Sequence, residues 1–381
     1  MPLDPDAEPG ARTLDGFDDA VGRDGGDDEA GRHVADGLMM PAVHAAALEP
    51  GRWSDRGRKA RTGIDADRVR ETVLRHVDRV RHVGLLLGLA EDDPEAQSRI
   101  RAFRLGLRDL DWLEGRNIHI EYRFAADDPA RMSEQAAELV SLSPDVIVGN
   151  GTPVLAALRQ ATTSIPIVFS IVNDPVGQGF VSSMSRPGGN ITGFSFIEFP
   201  IIGKWTAMLK DVSPNLSRVA LMFNPSTSPY YEVFLRSFKG VSQSIAVEIS
   251  PAPVHDEAEI EQTIARLGRE AGSGLIAGSD IFVIVHRDAI LRSVKAHGVP
   301  SLSPYKQFVR EGGLVSYGPD TVDTFRRASS YVDRILRGEK AAELPVQSPV
   351  KFELVINMTT AKELGLKIQN SFAMLADEVI E

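Results

Sequence analysis

"DVIVGNGTPVLAALRQATTSIPIVFS", residues 145–170, holds two apolar β-forming runs with a helical pattern between them. "DVIVG" (145–149) and "IPIVFS" (165–170) carry apolar residues at successive positions, as strands covered on both faces do. Between them, 153–162 reads as a helix: Pro153 suits the first helical position and Thr152 sits where an N-cap belongs. Strand, helix and strand in so short a span form a βαβ unit, so both strands run parallel in one sheet.

The alternation extends outward. Upstream, "HVGLLLG" (82–88) reads as a buried strand and 94–110 as an amphipathic helix with Ile100, Phe103, Leu107 and Leu110 inward. A strand at 117–124 and a helix at 129–142 follow. Downstream, "ITGFS" (191–195) adds a strand, and a helix from Gly203 leads away. A second series then begins, with strands at 218–224, 246–250, 274–278, 299–303 and 313–318 and helices at 229–245, 256–270 and 284–297. An amphipathic helix at 321–338, a strand at 351–357 and a helix at 359–365 complete the pattern. The expected fold is α/β: two doubly wound parallel-sheet lobes with a ligand cleft between them. The N-terminal lobe is expected from 81–213 with 321–340, and the C-terminal lobe from 214–320 with 341–381. Residues 1–80, rich at first in Asp, Gly and Ala and later in Arg, are expected to form a disordered N-terminal extension, with one helical pattern at 65–80.

Composition bounds the function. A net charge of -11 argues against nucleic acid or an anionic membrane as partner. With no cysteine, the chain has no disulfide, thiolate nucleophile or thiolate metal site. No apolar run is long enough to span a bilayer. "MPLDPDAEPGARTLDGFDDA" (1–20) is acidic where a secretion signal is basic and then apolar. The glycines of "NDPVGQGFVSSMSRPGGNITGFS" (173–195) lead into a strand rather than a helix, so they are not a phosphate loop. Asp174 is expected to cap the turn that Pro175 starts. "SPYK" (303–306) and "HRD" (286–288) lack the partner motifs of acylating enzymes and kinases. No catalytic residue, metal cluster or cofactor motif stands out.

In doubly wound folds ligands lie beyond the carboxyl ends of the strands, so the residues there are the site candidates. Asn150, Gly151 and Thr152 follow one strand, where the helix start either is only a cap or also holds a carboxylate. Ser170 and Asn173 end the next strand. Asn224 and Tyr230 follow the first strand of the second series, with Thr227 and Tyr231 beside them. Ser279 and Asp280 follow "GLIAG" (274–278): Asp280 either caps the next helix or faces the ammonium of an amino acid. Phe282, Tyr305 and Tyr317 are each a pocket wall or core.

Several long segments carry a resemblance. "LEGRNIHIEYRFA" (113–125), "ELVSLSPDVIVGNGTPVLAALRQAT" (138–162), "IPIVFSIVNDPVGQGFVSSMSRPGGNITGFS" (165–195), "GKWTAMLKDVSP" (203–214) and "RRASSYVDRILRGEKAAELPVQSPVKFELVINMTTAKELGL" (326–366) resemble ABC transporter substrate-binding proteins of the tryptophan-type amino-acid binder branch, with the type I periplasmic binding protein fold. The resemblance covers roughly residues 82 to 381. It implies a monomeric, non-enzymatic receptor outside the cytoplasm, closing by a hinge on a small amino-acid-like or carboxylated solute and delivering it to an ABC permease. It maps the family's ligand-binding hydroxyl to Thr152 and its acid to Asp280. The N-terminal departure leaves a cytoplasmic ligand sensor on the same fold as the alternative.

Overall fold

A computed structural model describes residues 79–198, 200–231 and 245–381. The disorder expected over 1–80 and the pattern at 65–80 lie, up to residue 78, outside the described residues, as does most of the helix expected at 229–245.

The first sheet contains β1 (Arg81–Leu87), β2 (Ile118–Phe124), β3 (Val146–Asn150), β4 (Ile167–Val172) and β5 (Ile191–Ser195), in the order β2-β1-β3-β4-β5. Every pairing in it is parallel. Strands β3, β4 and β5 are buried throughout, because helices cover both faces. These helices are α1 (Pro94–Asp109), α2 (Pro129–Ser141) and α3 (Thr152–Ala161). Asp-Pro pairs start the first two: Asp93 and Asp128 accept the free amides while Pro94 and Pro129 need no acceptor.

From β5 the chain continues through Phe196 and Ile197 to α4 (Ile201–Val212) and the second sheet. That sheet contains β6 (Arg218–Phe223), β7 (Glu248–Pro253), β8 (Ser273–Ala277), β9 (Ser301–Ser303), β10 (Val315–Pro319), β11 (Phe352–Asn357) and β12 (Glu378–Ile380), in the order β12-β11-β10-β9-β8-β6-β7. Its helices are α5 (Glu257–Arg269), α6 (Ile281–Val285), α7 (Arg287–His297) and α8 (Lys306–Arg310). The chain returns at Asp320 into α9 (Thr321–Leu336), which packs on α1, then crosses again after Gln347. Before that last crossing Gln347 bonds Gly193 and Ser195 and so covers the edge of β5. Short helices α10 (Met358–Glu363) and α11 (Asn370–Ala373) complete the chain.

The α/β architecture is as expected, with local corrections. Strand β11 is antiparallel to β10, with Pro319 opposite Phe352. Both residues adjoin interlobe crossings, so β10 leaves the sheet at the end where β11 re-enters it. Strand β7 begins at Glu248 rather than 246, because Ala246 has φ +52°. Its prolines are tolerated because it is an edge strand. The helix expected over 284–297 is broken at His286, which ends α6 and starts α7.

Gly193 fixes the spacing of β4 and β5. A Cβ there would stand 2.1 Å from the Phe169 carbonyl oxygen and 2.6 Å from its nitrogen, both immobile backbone atoms. Gly193→Ala is therefore expected to destabilise the protein by about 3 kcal/mol or more, as overpacking with backbone strain does. Urea unfolding should show a lower midpoint; an unchanged midpoint would refute the close-approach argument.

Candidate functional site

The carboxyl ends of the two sheets face each other, and a cluster of buried polar residues joins them. At its centre, Asn173 follows β4. Its Nδ2 lies 2.9 Å from Tyr230 Oη, 3.1 Å from the Ser279 carbonyl and 3.1 Å from Ser279 Oγ, all in the second lobe. Ser279 Oγ in turn donates to Asn173 Oδ1 at 3.2 Å. The Asn173 backbone is held as well: its N–H points to Thr152 Oγ1 at 3.4 Å and its carbonyl accepts from Gln178 Nε2 at 2.6 Å. The turn beyond is closed by Asp174, which accepts from the Gly177 amide as expected.

Backbone strain aims this segment. Ile171 has φ +61°, a genuine outlier for a β-branched residue, and the register of β4 against β5 shifts between Ser170 and Val172. The bulge turns Ile171 toward the cleft at a cost of about 1–3 kcal/mol. Gly151 performs a related task before α3. With φ +90° it is the N-cap, so Thr152 is the first helical residue and its hydroxyl makes no capping bond. This corrects the capping expectation: only glycine takes that conformation freely, so the turn falls one residue early.

Asp280 starts α6. Its Oδ1 accepts from Thr227 Oγ1 at 2.7 Å and from the Phe282 amide at 3.2 Å, and its Oδ2 from the Asn224 amide at 2.7 Å. Burial pushes its pKa above the usual carboxylate range, against the pull of these bonds. Burial also raises the Tyr230 phenol to about 12 and holds Tyr305 high. Both therefore stay neutral hydroxyls at physiological pH.

Of the residues expected from sequence, Asn150, Gly151, Thr152, Asn173, Tyr230, Ser279, Asp280 and Tyr305 line one small interlobe cavity. The others stand around it or elsewhere. Asn224 supports Asp280 from behind. Ser170 is fully buried at the end of β4 with no partner for its hydroxyl. Phe282 packs in the core of the second lobe, 4.3 Å from the His286 ring. Tyr317 stacks on Phe352 and its hydroxyl accepts from Lys204.

Arg99 and Ile171 also line the cavity and are not among the expected residues. Arg99 carried a readable signal. It occupies the same helical stripe as Ala96, Ile100, Phe103 and Leu107, where an apolar side chain belongs. The cavity holds about 20 Å³, room for about one water. The lobes are thus drawn together, with no room for a larger solute between them.

One family model matches most of the chain. The sequence model for ABC transporter substrate binding proteins matches residues 92–380. A tyrosine-binding protein of Clostridioides difficile is 24% identical over 276 residues, 72% of this chain and 79% of that one. Among solved structures, a conserved domain protein from Vibrio cholerae has TM-score 0.73 at 25% identity, covering 79% of this chain and 100% of the other. A Streptococcus domain solved with L-Trp has TM-score 0.72 at 22% identity, covering 79% and 99%.

Proposed function

The chain belongs to the ABC transporter substrate-binding proteins, and from that premise we propose that it captures an amino-acid-like or carboxylated solute between its lobes. Delivery to a membrane permease, outside the cytoplasm and as a monomer, completes the reading. The tyrosine and tryptophan named for its relatives favour an aromatic amino acid among the candidates. The observation that carries the proposal is the buried polar cluster at opposed strand ends, where Asn173 bonds Tyr230 and Ser279 across the cleft. Thr152 and Gly151, at the start of α3, suit a carboxylate; Asp280 suits an ammonium, whose charge would offset the burial of its own. The crossings after β5, at 319–321 and at 347–351 act as the hinge, and a ligand that contacts both lobes favours closure by its differential affinity.

Thermal unfolding of the full chain against amino acids, organic acids and sugars tests this. A solute at a hundred times its Kd should stabilise the native state by about 2.7 kcal/mol. Asp280→Asn should weaken an amino acid more than its des-amino analogue. Absence of any shift across the panel would sink the proposal.

A further inference from the structure

Arg99 is a wholly buried cation with an unused donor. Its Nε donates to Glu95 Oε1 at 3.1 Å and its Nη1 to Asn150 Oδ1 at 3.2 Å. Nη2 also lies 3.1 Å from Glu95 Oε1, but not in hydrogen-bonding geometry, and it has no hydrogen-bond partner. The side chain is 0% exposed. Because Asn150 presents its Oδ1 to Arg99, its Nδ2 faces elsewhere; this amide nitrogen is likewise buried without a partner. Arg99 and Asn150 line the same cavity as Gly151 and Thr152, at the positive end of α3.

Buried donors are nearly always satisfied, so an orphan at a cleft calls for a partner. Here two orphans belong to residues already bonded to each other. One is a guanidinium, the group whose geometry matches a carboxylate. Glu95 does not cancel the demand. Its Oε1 also accepts from Thr321 Oγ1, the first residue of α9, so that oxygen is shared between two donor groups.

We propose that Arg99 Nη2 and Asn150 Nδ2, beside the start of α3, form an anion subsite that binds the solute's carboxylate. This rests on the reading of the cleft as a small-solute site and makes it specific: the ligand is an acid, and the corresponding amide is rejected. Discrimination follows because a neutral amide offers its carbonyl to one of these donors but turns its NH2 on the other, which is left unpaired.

The test compares acids with their primary amides on the full chain: L-tyrosine, L-tryptophan, L-leucine and 4-hydroxyphenylacetate, each beside its amide, with D-ribose and glycerol as neutral solutes. Thermal shift finds the binders and calorimetry gives their affinities. At least one acid should bind, with its amide at least about tenfold weaker. Glu95→Gln/Arg99→Gln, which removes the charge pair while keeping its volume, should weaken the acid far more than the amide and so bring the two affinities together. Asn150→Ala should act in the same direction if the double variant fails to fold. Equal affinity for acid and amide, binding of neutral solutes alone, or an equal loss of both in the double variant would overturn the subsite while leaving the solute cleft standing. No binding by any probe would remove the cleft reading and the subsite with it.

Discussion

Asn173→Ala should lower affinity for the captured solute more than any other single truncation in the cleft. The substitution removes the hydrogen bonds that Asn173 Nδ2 makes across the cleft with Tyr230 Oη, Ser279 Oγ and the Ser279 carbonyl. Each buried hydrogen bond so lost costs about 0.5–1.5 kcal/mol. Together these losses amount to about 2–4 kcal/mol against the closed state, or roughly 30- to 700-fold in affinity. Calorimetry reads the affinity, and small-angle scattering of the unliganded chain reads closure. The variant should have the larger radius of gyration, because the hydrogen bonds that draw the lobes together without ligand are lost. Affinity within about threefold of the parent, with unchanged scattering, would mean that Asn173 is a bystander.

Asn173, Ser279 and Tyr230 are read from sequence more directly than Arg99, for a physical reason. The first three follow apolar strands, and strand ends in parallel sheets converge on the ligand side whatever the loop sequence. Arg99 lies inside a helix four residues after Glu95, a spacing that ordinarily marks a solvated ion pair on an outer face. Only its position on the apolar stripe shows that the pair points inward. Ile171 gives no signal, since a β-branched residue in an apolar strand predicts extended backbone rather than φ +61°. The direction of β11 was hidden for a different reason: it is set by where the chain re-enters from the other lobe, a long-range property without local pattern. Tyr317 shows the limit of the strand-end rule. Its ring lies along the sheet against Phe352, and Lys204 takes its hydroxyl, so position along the chain did not bring it to the cavity.

Arg287→Ala should release bound solute about 30-fold faster with little change in association, because Arg287 fastens the lobes at the rim of the cleft. From the start of α7, its Nη1 donates to Asp93 Oδ2 of the first lobe at 2.7 Å while Nε reaches Glu311 at 2.8 Å. Both members of the interlobe pair are nearly buried, at 12% and 10% exposure. Removing one strands the other, which for a pair at the less buried end of the range costs about 2 kcal/mol, or roughly 30-fold in dissociation rate. Arg287 is the residue to change, since Asp93 also caps α1 and its loss would disturb the helix that carries Arg99. Beside it, His286 lies 3.4 Å from Asp127 of the first lobe and 3.5 Å from Glu257 of its own, with Phe282 against its ring. Asp127, opposed by burial, raises the His286 pKa above its ordinary 6.5, with Glu257 adding to the rise. A raised pKa contributes stability that is complete below 6.5 and is lost as pH rises through the folded-state value. Because Asp127 is met only across the cleft, the same sign applies to closure: the closed state holds its proton more tightly than the open one. Solute release should therefore quicken as pH rises above 6.5, and His286→Gln should flatten that slope without abolishing binding. Stopped-flow release measured across that interval, for the parent, Arg287→Ala and His286→Gln, separates the two contacts. A slope that survives in His286→Gln would assign the pH dependence to another group and leave Arg287 as the latch.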